Sequence, residues 1–79
     1  MNNKPNKIFF TYSKDKNGNP KIEQVFTSYE NGTVTQEDFD ETKHLQVLSE
    51  FFKDNGIEGP DLIKEAEEKG IFARFQILG

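Results

Sequence analysis

Asn-Gly occurs twice in the first half of this chain, at Asn17-Gly18 and Asn31-Gly32. Each pair lies between short runs rich in aromatic and β-branched residues. Asn-Gly is the strongest local signal for a hairpin, because glycine enters the left-handed backbone region without a Cβ clash. The pairs therefore predict three consecutive antiparallel strands. The first is Lys7 to Ser13, with Ile8, Phe10 and Tyr12 on one face and Phe9 and Thr11 on the other. A turn over Lys14 to Pro20 leads into a second strand, Lys21 to Tyr29. Its apolar residues change parity, with Ile22 and Phe26 opposing Val25, Thr27 and Tyr29, so a β-bulge is expected there. Thr33-Val34-Thr35 pairs back as a short third strand.

Helical spacing takes over after residue 35. Thr35-Gln36-Glu37-Asp38 resembles a capping box with Asp in place of Glu, and acids crowd the turn that follows. The predicted first helix spans 37–54, with a stripe of Phe39, Leu45, Leu48 and Phe52 widened by Val47 and Phe51. Gly56 stops it. Pro60 is placed in the first turn of a second helix over 60–69, which buries Leu62, Ile63 and Ala66, and Gly70 stops that one. The last strand, 71–78, presents Ile71, Ala73, Phe75 and Ile77 on its apolar face. The predicted fold is α+β, a two-layer sandwich in the order β-β-β-α-α-β. It has a mostly antiparallel sheet with two helices on one face. The last strand is expected inside the sheet beside the first. The expected core is Ile8, Phe10, Val25, Phe39, Leu45, Leu48, Phe52, Leu62, Ile63, Ala66, Ile71, Phe75 and Ile77.

Seventy-nine residues form one domain, 1–79, with residues 1–6 expected to be a flexible lead. Only 33% of the residues are hydrophobic, but eight Phe and two Tyr carry much area each, which argues against disorder. With no Cys and one His, thiolate metal sites, a Cys nucleophile, disulfides and a His-rich metal site are all excluded. No apolar run approaches the roughly 20 residues of a membrane span, and no signal peptide is visible at the N-terminus. The expectation is a cytoplasmic protein with no membrane partner and no cofactor.

Chemistry is sparse. His44 lies four residues from Asp40, which reads most simply as an exposed helical histidine near an acid. Ser13, Ser28 and Ser49 sit in no nucleophile motif. Asp15-Lys16-Asn17-Gly18-Asn19 opens like a calcium loop, but Pro20 stands where glycine is required and Phe26 where glutamate is required. It reads as a turn. The chain is therefore expected not to be an enzyme.

Charge is unevenly placed. Residues 1–29 carry a net +3 and residues 30–79 a net -7, for -4 in total. The leading expectation is a protein-binding or regulatory module that meets an unidentified protein through Glu37, Asp38, Asp40 and Glu41. The alternative is a single-stranded nucleic-acid binder using the hairpin 7–21, where Lys7, Phe9, Tyr12, Lys14, Lys16 and Lys21 interleave cations with rings. That alternative gains if Phe9 or Phe10, Tyr12 and two or more lysines share one exposed face. Nine lysines against one arginine weaken it, and the acidic second helix argues against a winged helix-turn-helix. The strand Lys21 to Tyr29 is a candidate edge for augmentation by a partner strand. An open meander edge also favours a homodimer, which the hairpin lysines oppose. The many Asn and Lys fit a low-GC coding sequence. A small, Cys-free, acidic single domain is a common product of bacteria and their phages, so a phage or mobile-element origin is expected; neither association carries a mechanism.

Overall fold

A computed structural model describes residues 4–77. It contains β1 (Pro5–Lys14), β2 (Pro20–Tyr29), β3 (Val34–Asp38), α1 (Glu41–Asp54), α2 (Leu62–Glu68) and β4 (Phe72–Gln76). The expected element order and α+β architecture are present. The sheet order is β3-β2-β1-β4. β1 pairs antiparallel with β2, and β2 with β3, whereas β4 runs parallel to β1. The sheet is thus mixed rather than wholly antiparallel. β4 does lie beside β1, but at the sheet edge rather than inside it. β2 is interior, so the expected edge for augmentation is already paired on both sides; the free edges belong to β3 and β4.

The two hairpin turns close in the same way. Asp15 N–H donates to Asn19 O and Gly18 N–H to Asp15 O, both at 2.9 Å. The same pattern recurs from Tyr29 N–H to Thr33 O and from Gly32 N–H to Tyr29 O. In each turn the glycine alone takes positive φ, +82° at Gly18 and +90° at Gly32, as the Asn-Gly signal demands. The expected bulge lies at Glu23, between the pairs Thr11–Gln24 and Tyr12–Ile22. It brings Ile22 to the same face as Val25, so that both pack on the core. The Glu23 carbonyl then accepts the N–H of Phe39 at 3.0 Å and anchors the link between β3 and α1.

That anchor corrects the helix start. Residues 36–38 stay paired with β2, down to Gln24–Asp38, and α1 begins at Glu41. Asp40 is its N-cap, accepting the N–H of Lys43 at 3.2 Å. α2 likewise starts later than expected, capped by Asp61, with Pro60 outside it. Both helices end in Schellman turns: Ile57 N–H reaches Phe52 O at 2.9 Å and Ile71 N–H reaches Ala66 O at 3.2 Å, with Gly56 and Gly70 at positive φ. In both, the isoleucine after the glycine folds back onto the core. Pro5 and Asn6 belong to β1, and Lys4 O accepts Glu30 N–H at 3.0 Å. Residues 1–3 and Leu78 lie outside the described residues.

The core lies between the sheet and the helices. It holds Ile8, Phe10, Val25, Leu48, Phe51, Phe52, Ile57, Ala66 and Phe72. A run of edge-to-face rings crosses it, Phe39 on Phe10 at 5.8 Å, Phe10 on Phe72 at 5.2 Å and Phe72 on Phe52 at 6.2 Å. Several core expectations fail. With α1 starting at Glu41, its buried stripe is His44, Leu48, Phe51 and Phe52, and Leu45 is 52% exposed. Leu62 is exposed as well. In β4 the faces are reversed. Parallel pairing of Ile8 with Phe72 sends Phe72 inward, while Phe75 is 55% exposed and Ile77 is also exposed.

The connection from β3 to β4 explains the layering. The chain leaves one edge of the sheet and must reach the opposite edge, so both helices cross the same face. No described element covers the other face.

Candidate functional site

The acidic quartet does not form one surface. Glu37 pairs with Val25 and therefore projects on the helix side of β3, whereas Asp38 projects on the bare side, bonded to the Gln24 amide. Asp40 caps α1, and Glu41 lies in its first turn. Glu37 accepts from Lys43 Nζ at 2.8 Å and meets His44 Nε2 at 3.0 Å. The Lys43 hydrogen bond, and then that of His44, hold the Glu37 carboxyl below the usual glutamate range. Glu37 in turn raises Lys43, through that hydrogen bond and its charge.

His44 is buried, at 4% exposure, rather than exposed as expected. Its Nδ1 accepts the backbone N–H of Asp40 at 2.9 Å, which assigns the ring proton to Nε2 and makes it the donor to Glu37. The ring stacks on Phe39 at 5.7 Å. Asp40 and His44 thus form a reciprocal cap across the first turn of α1. Nδ1 is engaged in that cap and Nε2 in the bond to Glu37, and the arrangement resembles helix capping more than acid–base machinery. Among the described residues no cluster of His, Asp and Glu suits a metal ion, and no helix is long and apolar enough to cross a membrane.

The basic and aromatic residues of the hairpin also divide. Register places Lys7, Phe9 and Lys21 on the bare face, Lys21 on β2 being aligned with Ser13 on β1. Phe10 and Tyr12 face the helix side, and Lys16 sits in the turn. Because β1 and β2 run on past the helices, Tyr12 and Lys14 line a shallow groove of about 460 Å³ with Phe10, Ile22 and Arg74. Arg74 in that groove is paired with Glu67 at 2.8 Å. The hairpin's lysines and aromatics are thus divided between the two faces and the turn.

What the sheet does gather is a bare aromatic face. Phe26, Phe9 and Ala73 form one row across β2, β1 and β4; Gln24, Thr11 and Phe75 form the next. Phe75 stands edge-on to Phe9, with ring centroids 6.0 Å apart. These six central positions carry no charge in a chain that is 30% charged. Charges flank them: Lys7 at one end, Lys21 and Glu23 at the other, Asp38 on β3. Glu23 also accepts from Ser13 Oγ at 2.7 Å. Two lysines are thus balanced by two carboxylates. The face thus has an uncharged, ring-bearing centre inside a polar margin. Sequence reasoning placed Phe75 in the core and overlooked Phe26. The available signal was the doubling of phenylalanine at Phe9-Phe10 and again at Phe72 and Phe75. A two-layer fold can bury only one parity of each strand. Comparison with known protein families, with curated proteins and with solved structures finds no match to this chain, so the geometry alone carries the functional reading.

Proposed function

We propose that this chain is a non-catalytic protein-binding module whose working surface is the bare face of its sheet, rather than the acidic quartet. One observation carries the reading: an uncharged central patch of an exposed Phe75 beside half-buried Phe9 and Phe26, on a sheet face that no described element covers, in an otherwise densely charged molecule. Exposed aromatic surface rimmed by polar residues marks association sites on soluble domains. The balance of Lys7 and Lys21 against Glu23 and Asp38 favours a protein over a polyanion, whose phosphates call for surplus cation. The engagement of both His44 ring nitrogens and of Glu37 in holding α1 supports the non-catalytic part.

The test is a photo-crosslinking benzoylphenylalanine at position 75, compared with the same group at exposed position 45 on α1. Crosslinks to protein from 75 and none from 45 are expected. Titration with labelled single-stranded oligonucleotide at low salt accompanies it. Tight, salt-sensitive binding that falls on Lys7→Glu or Lys21→Glu would reject the reading in favour of nucleic acid.

A further inference from the structure

We infer that the bare sheet face packs against the same face of a second copy of this chain, forming a two-fold dimer with four layers, helices outermost. The inference rests on the assignment of that face as the working surface and adds its occupant.

Charge and pattern select the second copy. Place a two-fold axis parallel to the strands, between β1 and β2. It sets Phe9 of one copy over Phe26 of the other, and Phe26 over Phe9. Thr11 then meets Gln24, and Phe75 on β4 meets Asp38 on β3 of the other copy. Lys7 lies opposite Ser28, and Lys21 opposite Ser13, so no lysine faces a lysine. An axis running across the strands midway between the Phe9–Phe26 and Thr11–Gln24 rows sets Phe9 over Thr11 and Phe26 over Gln24 and loses the ring pairing, whereas one through the Phe9–Phe26 row sets each ring over its own copy. Intermolecular contacts of Phe9 with Phe26 distinguish the parallel axis from both. The acids of α1 and α2 lie on the helix layer and stay on the outside. The four flanking charges of each face cancel, so two such faces approach without net repulsion.

Area supports the same conclusion. The chain exposes 5824 Å², about 900 Å² more than the roughly 4,900 Å² expected of a compact 9.1 kDa monomer. A standard interface removes about 800 Å² from each partner. The radius of gyration, 13.0 Å, likewise exceeds the roughly 11.6 Å expected for this length. The elongated hairpin of β1 and β2 contributes to this excess, and a second copy on the bare face would bury an area of comparable size. Sheets packed in this way lie about 10 Å apart, which leaves room for the rings to interdigitate.

The test is sedimentation equilibrium of the whole chain across low to high micromolar concentration, with Phe75→Glu and Leu45→Glu as variants. Far-UV circular dichroism checks that each is folded, and Phe75→Ser replaces Phe75→Glu if the latter is not. The expected result is a species of twice 9.1 kDa. Phe75→Glu, which sets a second carboxylate against Asp38 of the other copy, weakens it by about 100-fold or more. Leu45→Glu leaves it unchanged. A dimer that survives a folded Phe75 variant, or that Leu45→Glu dissolves, overturns the inference, because association then lies elsewhere. A monomer at every concentration also overturns it. In that event crosslinking from position 75 to a different protein retains the face as a binding surface, and its absence removes both.

Discussion

Phe72 and Phe75 lie three residues apart in one strand and face opposite ways, so truncating each in turn tests the orientation of the whole sheet. Phe72 is 2% exposed and presents edge-to-face contacts to Phe10 and Phe52. Removing a buried phenylalanine costs about 3–5 kcal/mol, and two ring contacts put Phe72→Ala in the upper half of that range. Domains of this length have a total stability of roughly 4–12 kcal/mol. Phe72→Ala therefore removes a third of the stability at least, and at the low end it unfolds the protein. At about 4–8 °C per kcal/mol, the melting midpoint falls by at least about 16 °C. Phe75 is already 55% exposed, so only about half of its area leaves water on folding. With full burial of the ring contributing about 2–3 kcal/mol, Phe75→Ala costs about 1 kcal/mol, and the gap opens to solvent rather than into a cavity. Urea unfolding followed by far-UV circular dichroism measures both. The lowest workable concentration is used, so that self-association adds nothing by mass action. If Phe75→Ala cost as much as Phe72→Ala, β4 would face the other way and the bare face would not be the one described.

Two further outcomes follow from the cap of α1. The folded Glu37 carboxyl is held below its ordinary value of 4.5, so the stability it contributes is present above that pH and is lost as pH falls through the lower folded value. Glu37→Gln should therefore be less stable than the parent at neutral pH and show a flatter decline in acid, read from urea midpoints across a pH series. His44→Ala removes a buried ring and leaves the Asp40 N–H without its acceptor, at a cost of about 2–4 kcal/mol in the same assay. A loss below about 1 kcal/mol would mean that the reciprocal cap contributes little.

The parts of this fold that were legible in the sequence are those fixed by local backbone chemistry. Gly18 and Gly32 closed the hairpins and Gly56 and Gly70 closed the helices, because each needs a positive φ that its neighbours resist. The Glu23 bulge was visible as a change of parity. The errors arose where a distant partner decided. Thr35-Gln36-Glu37-Asp38 reads as a helix cap, but pairing with β2 and the Glu23–Phe39 bond keep it extended, and Asp40 does the capping. Alternation in residues 71–77 allows either face, and only the parallel register with β1 selects Phe72. Ile57 was overlooked although an isoleucine directly after the helix-ending glycine is the usual hydrophobic partner of a Schellman turn. The quartet Glu37, Asp38, Asp40 and Glu41 is contiguous in sequence, yet strand alternation and the cap disperse it. The aromatic face is the reverse case, assembled from three strands that are distant in sequence.

The most direct test of the bare face as an interface is an isotope-filtered NOE experiment on an equal mixture of labelled and unlabelled protein. It reports only contacts between different molecules. The predicted result is cross-peaks from the Phe9 ring of one copy to the Phe26 ring of the other, with none from the residues of α1. Intermolecular cross-peaks confined to α1 or to the edge of β3, or none at concentrations where sedimentation finds a dimer, would contradict the account.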